Sequence, residues 1–135
     1  MIEFHGWVVV RETYNEEGDS KTLLKKILSQ LNDKLALLRS EVEDIEISLL
    51  SKNGVYQISL FGAANHKGYT WEQVLILIKW IAENAIGSYG LIYMLNDEDI
   101  TNENENKFIV LCLKKGKISI LEDQYFSPLV PEIED

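Results

Sequence analysis

Apolar and polar residues alternate at the start of the chain: Ile2, Phe4, Val8 and Val10 interleave with Glu3, His5, Trp7 and Arg11. A period of two predicts a strand, here with both faces partly apolar. After the polar stretch NEEGDS the period changes. Leu24, Ile27, Leu28, Leu31, Leu35, Leu38 and Val42 recur at steps of three and four, which predicts an amphipathic helix over 20–43. IEISLLS, the turn KNG and VYQISLFG then read as a hairpin, with Gly54 supplying positive φ. Thr70 and Gln73 have capping-box spacing and Gly87 stands where a helix C-cap glycine belongs, predicting a second helix over 71–86. Its polar stripe is narrow, around Glu72, Lys79 and Glu83, so most of its surface must be covered. GLIYML, FIVLCL and KISIL are three more strands, the last two joined by KKGK.

The order βαββαβββ, with hairpin-length connections between most strands, predicts an α+β fold: a mixed, mainly antiparallel sheet with both helices on one face. The tail from Ser127, polar and broken by proline, is expected along the surface.

Composition narrows this picture. The 135 residues fit one domain, 1–135, large enough for a core without disulfide or metal staples. Cys112 is the only cysteine; inside FIVLCL it is expected to be a buried, reduced thiol. The opening MIEFHGWVVVRE lacks the basic and apolar regions of a secretory signal, so a cytoplasmic protein is expected. The apolar run Val74–Ile86 is interrupted by Lys79 and Glu83, which argues against a membrane span. A net charge of −9 argues against nucleic acid as direct ligand and favours a basic partner. Residues 96–135 hold ten Asp/Glu against four Lys, six of the nine excess negative charges.

Much of that charge lies in the stretch YMLNDEDITNENENKFIV. Asp97, Asp99 and Thr101 alternate as calcium ligands do, but an EF-hand loop needs glycine at its sixth position and glutamate at its twelfth. Asn102 and Phe108 stand there instead. The readings that remain are a solvated connection and a surface offering Asp97, Glu98, Asp99, Glu103 and Glu105 to a basic partner. His5 and His66 are the only histidines, and no HExxH, CxxC or His-x-His spacing accompanies them, so neither a metal site nor a cofactor is expected. GSYG and GAANHKG lack phosphate-loop spacing. Cys112 among apolar neighbours is a poor nucleophile. No catalytic residue is therefore assigned. Trp71 reads as core; Trp7, sharing a strand face with Glu3, His5 and Arg11, is either a binding anchor on a face that the helices leave open or a residue covered by the folded-back tail.

The string IEFHGWVVVRE, then GSYGLIYMLNDED followed by NKFIVLCLKKG, and finally SPLVPEIED resemble the immunity protein 7 family of bacterial polymorphic toxin systems. The likeness spans Ile2 to Asp135. It implies a small α+β cytoplasmic inhibitor that binds a cognate toxin domain and has no enzymatic activity. It carries over no toxin-contacting residues, so the site rests on charge and exposure. Toxins acting on nucleic acid present basic clefts, which an acidic protein can occupy as a phosphate mimic. Two other readings stand beside it: an acidic adaptor domain without a toxin partner, and a small hydrolase built on His5 with Glu3 or Glu46.

Overall fold

The computed structural model describes residues 1–15, 21–65, 68–98 and 106–134. The elements are β1 (Ile2–Val9), α1 (Lys21–Glu41), β2 (Ile45–Lys52), β3 (Val55–Ala64), α2 (Tyr69–Asn84), β4 (Tyr89–Asn96), β5 (Phe108–Lys114) and β6 (Lys117–Glu122), followed by a short helical segment, α3 (Leu129–Glu132). One six-stranded sheet has the order β2-β3-β1-β4-β5-β6. Among the described residues every pairing is antiparallel, without the parallel component that a mixed sheet allows. β1 lies in the middle, flanked by β3 and β4, which accounts for apolar residues on both of its faces.

The helices cover one face. Ile2, Phe4 and Val8 of β1, Ile58 and Leu60 of β3, and Ile92 and Met94 of β4 share it and form one core with Leu31 and Leu35 of α1 and Trp71, Val74, Ile78 and Ile81 of α2. Each such side chain, removed fully from water, contributes about 1.5–3 kcal/mol of burial. Phe4 packs 5.6 Å from Trp71, centroid to centroid. That contact depends on Gly62, opposite Phe4 on β3, because a Cβ there would stand 2.1 Å from the Phe4 Cζ atom.

Two boundary expectations need correction. α2 starts at Tyr69 with Gly68 as N-cap and no side-chain cap, so Thr70 is a buried residue of the first turn, not the cap. Its C-cap is Ala85, whose N–H donates to Ile81 O. Gly87 instead allows close approach, since a Cβ on it would meet the Thr13 backbone at 2.1 Å. Both hairpins turn through two positive-φ residues, Asn53–Gly54 and Lys115–Gly116, matching the right-handed twist of their strands. Among the described residues no helix is long and apolar enough to cross a membrane.

Candidate partner-binding surface

The same alternation that buries one face of the sheet leaves the other open. Register arranges the open side into rows that run across all six strands. One row reads Glu46, Phe61, His5, Tyr93, Val110, Leu121, each residue directly opposite the next. The adjacent row reads Ser48, Ser59, Trp7, Leu91, Cys112, Ser119. A shorter third row carries Leu50, Gln57, Val9 and Tyr89.

Aromatic side chains pack against one another on this surface. His5 stacks on Phe61 at 5.2 Å and 16°, while Trp7 meets Tyr89 edge-on at 6.1 Å and Tyr93 meets Phe108 edge-on at 6.2 Å. Trp7 is 37% exposed and Phe61 49%. An antiparallel sheet facing water on one side ordinarily turns polar residues outward. Here apolar and aromatic side chains occupy the middle of that side, and a contiguous exposed apolar patch is the mark of an interaction surface.

Acidic groups gather at one end of the face. Glu3 lies one row beyond His5, and its Oε2 is 3.5 Å from His5 Nε2. Ile2 is paired with Asn96, so the connection that follows β4 begins at this same end. The Asn96 side chain accepts from the Glu98 N–H at 3.1 Å, and Asp97 Oδ1 accepts from the Met1 amino group at 2.6 Å. The hydrogen bond to Asp97 is the main cause that raises that amino group above its ordinary pKa. Glu98 Oε1 lies 3.4 Å from the same nitrogen. Of the predicted acidic set, Asp97 and Glu98 are exposed here; Asp99, Glu103 and Glu105, like His66, lie outside the described residues.

At the β6 end a turn unassigned by sequence reasoning closes over the face. Asp123 is buried, and its carboxylate accepts from the Tyr125 and Phe126 N–H groups at 3.0 and 2.9 Å and from the Ser127 hydroxyl at 2.9 Å. Burial by itself pushes the Asp123 carboxyl up, but the three hydrogen bonds together outweigh it and hold the group below its usual range. The Ser127 Oγ also accepts from the Phe108 N–H at 2.8 Å, and the Leu129 N–H donates to Asn106 O at 2.8 Å. The tail is thus tied to the start of β5, where residues 123–125 border a shallow cleft over Tyr93, Val110 and Leu121.

The catalytic alternatives find little geometry. His5 is exposed, and Glu46 is separated from it by Phe61 in their row. Cys112 is half-buried, not buried as expected, because it faces the open side. It sits two strands from β1, about 10 Å laterally from the line of His5. That is too far for Cys112 to pair with His5. Among the described residues no three His, Cys, Asp or Glu side chains form a group able to hold a metal.

Sequence reasoning picked out Trp7 but not Phe61, Tyr89 or Tyr93. The alternation in VYQISLFG and GLIYML carried the signal for their direction, though not for their adjacency to Trp7 and His5.

Comparison with known proteins adds the following. The immunity protein 7 family model matches residues 1–135, the whole chain. No curated protein matches. A solved structure described as a phage SAM lyase in complex with S-methyl-5'-thioadenosine is similar at 10% identity over 93% of each chain, with a TM-score of 0.31.

Proposed function

The chain belongs to the immunity protein 7 family, and from that premise we propose that it binds a cognate bacterial toxin domain through the open face of its sheet. The observation that supports this reading most directly is the aromatic and apolar middle of that face, with Trp7, Phe61 and Tyr89 exposed and, among the described residues, no helix over them. Interfaces concentrate binding energy in such buried aromatic anchors, with polar groups at the rim. The acidic end supplies part of that rim: Glu3, Asp97 and Glu98 stand at that end and Glu46 on the edge strand β2. Asp99, Glu103 and Glu105 continue the same charged connection in sequence.

A net charge of −9 suits a toxin with a basic cleft, and a nuclease is the toxin class that needs one. Complementary fields accelerate capture, which matters for an inhibitor that must reach its toxin before the toxin acts. The protein works in the cytoplasm by occupying the toxin, without turnover of its own.

The test is co-expression with the toxin domain encoded beside it, scored for growth rescue and for co-purification as a stoichiometric complex. Rescue with co-purification is expected. Failure of wild-type protein to rescue or to bind would overturn the proposal and favour an adaptor role.

A further inference from the structure

The two outer strands of the sheet treat their free edges differently. In a two-residue hairpin the residues flanking the turn bond to each other, so Lys52 and Lys117 direct their backbone groups inward, while the strand residue next to each, and every second one after it, directs its groups outward. On β2 this makes Ile47 an outward residue, and its carbonyl accepts a 3.0 Å hydrogen bond from Arg39 Nε of α1. A helix side chain thus closes part of that edge. On β6 the outward residues are Ile118, Ile120 and Glu122. Among the described residues, no group bonds to the outer side of this strand.

Nor does the sequence of β6 guard it. Between Lys117 and Glu122 the strand reads Ile-Ser-Ile-Leu, without charge or proline, and Ile120 is 63% exposed. Edge strands that remain unpaired usually carry a charge, a proline or a bulge at such positions. The charges lie at the two ends of β6: Lys117, next to Lys115 of the turn and Lys114 at the end of β5, on one side, and Glu122 followed by Asp123 on the other. Reversing such a strand against itself brings opposite charges together.

From these observations we propose that β6 pairs antiparallel with β6 of a second copy, joining two sheets into one. A register centred on Ile120 lets the outward groups of Ile118, Ile120 and Glu122 exchange hydrogen bonds with those of Glu122, Ile120 and Ile118 in the second copy. It buries Ile120 against its counterpart in the second copy. Two chains of charge −9 repel overall, but at physiological salt that field is screened beyond about 8 Å, so the local match of lysine and acid governs the contact. The pairing leaves the open face uncovered and does not depend on toxin binding.

Sedimentation velocity of the chain alone, from low to high micromolar concentration, tests this with wild type, Ile120→Lys and Ile120→Pro. The Ile120 N–H points outward, so proline there leaves the β5 ladder intact. Wild type is expected to dimerise with rising concentration, with the Ile118 and Ile120 amides gaining hydrogen-exchange protection. Both variants should weaken dimerisation by about tenfold or more, since each removes edge pairing or sets like charges face to face. Circular dichroism checks the fold, and Ile120→Lys decides the matter if the proline variant unfolds. A wild type that stays monomeric throughout, or a dimer that folded variants leave intact, overturns the proposal.

Discussion

Phe4 and Trp7 stand three residues apart on β1 and meet opposite fates. Phe4 is fully buried beneath Trp71, with its ring occupying the space that Gly62 leaves free. Trp7 rests edge-on against Tyr89 and keeps 37% of its surface in water. The difference separates two uses of apolar area. On the helix side the area has already left water and stabilises the fold; on the open side much of it remains available to stabilise a complex.

The sharpest way to break this comparison is to truncate both rings. Phe4→Ala is expected to cost about 3–5 kcal/mol of stability, the range for emptying a packed aromatic site. Trp7→Ala should cost about 1 kcal/mol or less, as a partly exposed side chain with one aromatic neighbour. Urea denaturation of the two variants measures both. Equal losses would mean that the open face is part of the core.

Binding should invert the order. With the toxin domain as titrant in calorimetry, Trp7→Ala and Phe61→Ala are each expected to lose about 2 kcal/mol or more, the hot-spot range, which corresponds to roughly thirtyfold in Kd. Unchanged affinity in both folded variants would move the interface away from this face.

Asp123 sharpens the comparison from the polar side, because it is a buried carboxylate on the face otherwise left open. Asp123→Asn should cost about 1.5–3 kcal/mol at neutral pH, the range for hydrogen bonds to a charged group. The folded carboxyl lies below its ordinary value, so its contribution is present above the unfolded pKa and is lost as pH falls through the folded one. Denaturation series from neutral to acid pH should show wild type losing stability through that window. The variant should lack that part of the slope.

The smallest effect belongs to the acidic connection. Asp97→Lys with Glu98→Lys changes exposed groups, so stability should move by no more than about 0.5 kcal/mol. Association with the toxin should slow, and its dependence on salt should flatten. Stopped-flow mixing at two ionic strengths reads both. Wild-type rates would reduce this end of the molecule to a solvated connection.

The sequence by itself determined the elements and the direction of their side chains. Alternation in IEFHGWVV and GLIYML and the three-and-four spacing from Leu24 to Val42 are local periods, set by strand and helix geometry whatever the rest of the chain does. Helix ends were less legible, because Gly87 answers to the Thr13 backbone and not to the helix before it. The tertiary structure alone decided which outward residues became neighbours. Strand order places β1 between β3 and β4, and only that order sets His5 between Phe61 and Tyr93, and Trp7 between Ser59 and Leu91. Asp123 shows the same division: its hydrogen bonds to residues 125–127 are local, but its burial follows from tying that turn, through Ser127, to Phe108 at the start of β5. Cross-strand contact is non-local, fixed by how six strands jointly bury one apolar face, and no period within a single strand encodes it.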